Sequence, residues 1–158
     1  MKTGQVVIVT GSRSLADSPE ASRWAREILA RELTDAATVI AGDARGPDEW
    51  AHEIALAGRA GWQVRWQLDG RVMARLLLEW QEESRWHNDP MPRRGDREGW
   101  KRICLARNAA MIASCEGRAD TRIVGLIDNA SKTRGTQHTL SIARMGGFNV
   151  TQFVWGAS

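Results

Sequence analysis

"QVVIVTGSRSLADSPEASRWAREILAREL" (residues 5–33) decides the fold class of this chain. Gln5–Thr10 is an unbroken, mostly β-branched run stopped by Gly11, the pattern of a strand buried on both faces. Ser18, Pro19 and Glu20 then supply a cap, a first-position proline and a first-turn acid. They predict a helix over 18–33 with Trp24, Ala25, Ile28 and Leu29 on its apolar side. A buried strand, a short polar turn and a well-signalled helix together make one unit of an α/β sheet.

The unit recurs along the chain. "ATVIAG" (37–42) is a second short buried strand, and "GPDEWAHEIALAGRAG" (46–61) opens a helix at Pro47 and closes it at Gly61. "WQVRWQL" (62–68) alternates, which predicts a third strand with Trp62, Val64 and Trp66 on one face. From Gly70 to Trp86 the spacing of Met73, Leu76, Leu77 and Trp80 is helical, and the Pro- and Gly-broken residues 87–99 form an exposed loop. A helix over Trp100–Ser114, a strand over 121–128, a helix over 136–147 and a strand over 148–155 complete the pattern. The expected fold is α/β: one Rossmann-like domain over residues 1–158, with a mostly parallel five-stranded sheet and helices on both faces. An atypical helical and loop insertion covers about 70–100.

The 158 residues suffice for one domain with a real core. With 42% hydrophobic and 26% charged residues the chain is ordinary for a globular protein. It has no apolar run of the roughly 18 residues a membrane span needs, so no membrane partner is expected. Met1-Lys2 leads straight into the first strand without a cleavable signal. Cys104 and Cys115 match neither a disulfide framework nor a CxxC clip, and a reduced, cytoplasmic setting fits them as core thiols. His52, His87 and His138 fall in separate segments without ligand spacing, so no metal and no cofactor are expected. The net charge of +3 comes with 19 Arg and 3 Lys spread along the chain, not massed in a stripe, so nucleic acid ranks last among the partners. Eight Trp with no Tyr could stack a base, but most tryptophans serve as core or interface anchors.

In a parallel sheet of this kind, ligands bind beyond the carboxyl ends of the strands. After the first strand, Gly11 allows a tight turn, while Ser12, Arg13 and Ser14 offer hydroxyls and a guanidinium. This is neither GxGxxG nor a P-loop, and Ser12 lacks the elbow of a nucleophile. After the second strand, Asp43, Arg45 and Gly46 precede a helix start that favours anions, and Asp48 and Glu49 occupy its first turn. Those two acids either steady the helix or serve as ribose acceptors or general acid–base groups. "LARNAAM" (105–111) puts Arg107, Asn108 and Met111 on one side of a helix. After the fourth strand comes "DNASKTRGTQHTL" (128–140): Asp128 ends the strand, Lys132 and Arg134 add charge, Gly135 allows close approach and Thr136 caps the next helix. Three strand–turn–helix junctions of this type at one sheet edge point to a phosphate.

The ordered set "VIVTGSR", "AGDARGPDEWA", "RNAAM" and "SKTRGTQHTLSIARMGGFNV" resembles the SLOG superfamily, specifically its YspA-like branch. The resemblance spans almost the whole chain except roughly 70–100. It implies a nucleotide-derived small-molecule ligand and a homo-oligomer, dimer or higher. It is also shared with the lonely guy phosphoribohydrolases, by which Arg107 would contact the ribose or phosphate and Gly135-Thr136 would cradle the phosphate. Two departures stand out. Ser131–Arg134 replace the PGG stretch of those enzymes, and Thr139 holds the position of their catalytic Glu, with His138 beside it. Other branches sense nucleotide-derived signals or, like the DprA branch, bind DNA.

Three functions follow in order. The first is binding of a nucleotide or nucleotide-derived signal, as sensor or sequestering protein. The second is N-glycosidic cleavage of a nucleotide, with Asp48, Glu49, Asp128 or His138 replacing the absent Glu. The third is single-stranded DNA binding. Residues 70–100, with Trp80, Trp86 and Trp100, could form a base-stacking lid, a dimer contact or plain helical packing.

Overall fold

The computed structural model describes residues 5–42, 44–57, 62–65, 95, 97–131 and 135–156. The expected helix over 70–86, most of the 87–99 loop, the close of the second helix at Gly61, Asp43, Lys132 and Arg134 lie outside the described residues. Four strands form the body of the sheet: β1 (Val6–Gly11), β2 (Thr38–Ala41), β4 (Thr121–Asp128) and β5 (Asn149–Trp155). The backbone of β3 (Trp62–Arg65) extends it along β2, giving the order β3-β2-β1-β4-β5 with every pairing parallel. The helices are α1 (Pro19–Glu32), α2 (Pro47–Ala57), α3 (Arg97–Ala113) and α4 (Gly135–Met145).

The continuous apolar run of β1 has a direct cause. Val7 and Val9 join Val39, Ala41, Val124 and Leu126 under α1 and α2, while Val6 and Ile8 join Ile40, Ile123 and Ile127 under α3 and α4. Successive side chains point to opposite faces, so a strand covered on both sides needs no polar alternation. Each helix presents its apolar stripe to one of these two layers: Ala25, Ile28 and Leu29 from α1, Met111 and Ile112 from α3, Leu140 and Ala143 from α4.

The start of α1 follows the sequence closely. Ser18 accepts a hydrogen bond from the Ala21 N–H at 3.2 Å, and Pro19 stands at the first helical position. The Glu20 carboxyl is held below its usual range by a backbone hydrogen bond and by the Ser18 hydroxyl. Three local expectations change. Residues Arg13–Asp17 form a 3-10 turn, stapled by Leu15 in the core. The third helix starts at Arg97, ahead of Trp100, because the chain turns at Gly95 (φ 90°) while Gly99 is absorbed into the helix. Thr136 does not cap the last helix but lies inside it as its second residue, since Gly135 is already helical.

Of the eight tryptophans, three have described side chains, and all three pack. Trp24 meets Trp155 with ring centroids 5.4 Å apart, and Trp50 is buried with the Arg26 guanidinium over its ring. Trp80, Trp86 and the side chain of Trp100, the proposed lid, lie outside the described residues.

Candidate functional site

The strand order fixes where a ligand can enter. From β1 the chain moves outward through β2 to β3, then returns to the other side of β1 with β4 and β5. The helices following β1 and β4 therefore lie on opposite faces, and a crevice opens between the carboxyl ends of these two strands.

Three hydrogen bonds span that crevice. The Asp128 N–H donates to Ser12 Oγ at 3.0 Å, the Ser14 hydroxyl donates to Asp128 Oδ2 at 2.6 Å, and the Ser12 N–H donates to the Leu126 carbonyl at 2.9 Å. The Ala130 N–H donates to Asp128 Oδ1 at 3.0 Å. Asp128 thus links the β1 and β4 junctions and remains only half-buried. Ser14 is a site residue that the sequence merely offered, because a partner 114 positions away leaves no local mark.

The β2 junction packs onto the same rim. A Cβ on Gly11 would lie 2.3 Å from Pro47 Cγ, so Gly11 lets the first residue of α2 sit directly on the end of β1. The tight-turn role expected of Gly11 is replaced by this close approach. The Cβ position of Gly46 is 3.6 Å from the backbone of both Ser12 and Arg13. Arg45 turns to Asp17 of the 3-10 turn in an exposed ion pair.

Behind the rim lies a buried polar cluster. Arg107 and Asp48 are only 4% and 6% exposed. A Cβ on Gly42 would meet Asp48 Oδ2 at 2.6 Å and Arg107 Cζ at 2.8 Å, so both charged groups close over this glycine. Asp48 Oδ2 also accepts from the Ala44 N–H at 3.3 Å, and Arg107 donates through Nε and Nη2 to Asn108 Oδ1, each at 3.2 Å. His52, one turn after Asp48, donates from Nε2 to the Gly42 carbonyl at 3.1 Å. Among the described residues the buried Nδ1 has no hydrogen-bond partner. Spacing alone left His52 a lone histidine without ligand spacing, although its i+4 offset from Asp48 put both on one side of α2.

The remaining acid–base candidates separate. Glu49 is exposed on α2 and His138 is exposed on α4. Thr139 is 0% exposed, and its hydroxyl donates to the Gly135 carbonyl at 3.0 Å. Position 139 therefore belongs to the core, where a carboxylate would be buried without water. A Thr139→Val variant is expected to lose about 1 kcal/mol of stability, the worth of one hydrogen bond, and to leave ligand affinity unchanged. Urea denaturation with a binding titration checks it. Among the described residues nothing lies within 4 Å of where a Gly135 Cβ would be, at the helix N-terminus where N–H groups have no intrahelical partner. Arg13 is exposed and forms no ion pair among the described residues.

With this geometry in hand, known folds can be compared. The fold is DprA-like. The chain aligns with the X-ray structure of DNA processing protein A (DprA) from Streptococcus pneumoniae at a TM-score of 0.57 and 19% identity. The alignment covers 98% of this chain and 51% of that one, so this chain spans about half of its length. No family model and no curated protein matches the sequence. The likeness is one of fold and supports the Rossmann-type architecture. Among the described residues no helix is long and apolar enough to cross a membrane, and no three His, Cys, Asp or Glu side chains gather as a metal site.

Proposed function

We propose that this domain binds a nucleotide or nucleotide-derived ligand at the carboxyl edge of its sheet, as a sensor or sequestering protein. One observation carries the proposal. The described parts of the junctions after β1, β2 and β4 meet at the β1/β4 crevice, joined by the Ser12–Asp128 and Ser14–Asp128 bonds and by the seating of Pro47 on Gly11. A phosphate suits the N-terminus of α4 and the exposed guanidinium of Arg13, where backbone donors and a cation favour an anion. The order of motifs supports a YspA-like member of the SLOG superfamily, and with it a cytoplasmic homo-oligomer.

Binding without cutting is favoured because three of the four acid–base candidates are occupied or turned to solvent, while Asp128, the fourth, is already hydrogen-bonded to Ser14 and Ala130. Asp48 is committed to Ala44 and packs beside Arg107, Glu49 and His138 are exposed, and Thr139 stands where the hydrolases carry their Glu. Incubation with nucleoside monophosphates, NAD, ADP-ribose and cyclic dinucleotides tests this by thermal shift and chromatography. The expected result is a raised melting temperature with the ligand recovered intact. Arg13→Ala is expected to weaken binding about five- to tenfold, as for one charge-assisted contact at an exposed position. Free base released over many turnovers would replace the binding reading with N-glycosidase activity.

A second reading is single-stranded DNA binding, favoured by the fold likeness to DNA processing protein A. It predicts affinity for an oligodeoxynucleotide that falls steeply with salt as counterions are released.

A further inference from the structure

We infer that Asp128 recognises the hydroxyl groups of a ribose cis-diol, so that the crevice selects ribonucleotides with free 2′- and 3′-hydroxyls; this rests on the nucleotide-binding reading above. Asp128 is the acid that the fold places at the crevice itself. Its Oδ2 accepts from Ser14 and its Oδ1 from the Ala130 N–H, both neutral donors, and no cation pairs with it among the described residues. Its own N–H donates to Ser12, so the residue is tied to the junctions of both strands.

A carboxylate offers about four lone-pair positions, and two of these are filled. Among the described residues one position on each oxygen remains, all acceptor and no donor. Such a group attracts hydroxyl donors and repels a phosphate, which at neutral pH brings negative charge and only acceptors. The phosphate therefore sits toward the N-terminus of α4 and Arg13, and the sugar lies over Asp128. A cis-diol supplies one O–H for each carboxylate oxygen. A nucleotide within a DNA strand has neither: it lacks the 2′-hydroxyl and carries a phosphodiester on the 3′-oxygen. The same residue thus accepts a free ribonucleotide and disfavours a strand.

The test is a titration with the four ribonucleoside 5′-monophosphates, their 2′-deoxy counterparts, adenosine 3′-monophosphate, ribose 5-phosphate and a short oligodeoxynucleotide. At least one ribonucleotide should bind about ten- to a hundredfold tighter than its deoxy form, the worth of hydrogen bonds to a charged group. Adenosine 3′-monophosphate should bind more weakly than the 5′-isomer. Asp128→Asn should collapse the ribo/deoxy ratio to below about threefold. The wild-type ratio stands as a test by itself if that variant folds poorly. Binding of ribose 5-phosphate with the same dependence on Asp128 would uphold the diol and show that the sugar phosphate, not the base, is recognised. Equal affinity for ribo and deoxy forms would overturn the diol and leave nucleotide binding standing. Binding of the oligodeoxynucleotide but of none of the small probes would overturn both.

Discussion

Arg107→Ala is expected to remove about 3–5 kcal/mol of folding stability, the usual cost of stripping one partner from a buried charged cluster. Arg107 is among the most enclosed charged groups of the described fold, with its guanidinium over Gly42, beside Asp48 and bonded to Asn108. Truncation leaves the Asn108 carbonyl without its donor and the Asp48 carboxylate without the neighbouring positive charge. Against a typical total of about 5–15 kcal/mol, that loss shifts a urea midpoint well outside experimental error. A loss below about 1 kcal/mol would show that the cluster contributes little. Arg107→Lys should recover only part of the loss, because an ammonium cannot reproduce the planar fork. The enclosure of Arg107 also changes its use in binding experiments. Its alanine variant disturbs the scaffold and the rim together, whereas Arg13→Ala on the exposed turn reports on the ligand alone.

The second large effect is expected at Gly11. A methyl group there would stand 2.3 Å from Pro47 Cγ and 2.5 Å from Pro47 Cβ, with the Leu126 carbonyl 3.2 Å away on the other side. The proline ring has no rotamer by which to withdraw, so α2 must shift as a body. Gly11→Ala is expected to cost about 2–3 kcal/mol, in the range of overpacked cores. It should also weaken ligand binding beyond what the stability change explains, because the β2 junction leaves the rim. Thermal unfolding and a nucleotide titration below the melting range check both parts. A stable variant with full affinity would show that the contact between Pro47 and Gly11 is not what assembles the site.

Much of the architecture was legible from local signals. The β-branched run of β1, the Ser18-Pro19-Glu20 start of α1 and Pro47 at the head of α2 each act within a few residues, so short stretches of sequence reveal them. Two of the positions where the pattern misled are also local in origin. Gly99 looked like the end of a loop and Thr136 like a cap, yet helical packing extended across both. A single weak breaker or cap costs only about 1 kcal/mol, which tertiary contacts readily override.

The site was legible as a set of residue types and not as a set of roles. Asp48, Glu49, Asp128 and His138 were equivalent candidates for an acid or base when read along the chain. Folding turns Asp48 inward against Gly42 and leaves Glu49 and His138 outside, while Asp128 alone is set across the crevice. Thr139 looked like a lost catalytic group and is a core residue bonded to Gly135.

The sequence by itself determined that this chain makes alternating buried strands and amphipathic helices, and that glycines and polar residues follow three of the strands. Those properties rest on side-chain periodicity and helix-end chemistry, which act over a single element. Only the tertiary structure decided that the three junctions share one rim, that Arg107 faces inward, and that Ser14 and Asp128 meet across 114 positions of chain. Such contacts depend on the order in which parallel strands assemble. That order is set by the packing of whole helices on the sheet, a non-local balance that no short stretch of residues records.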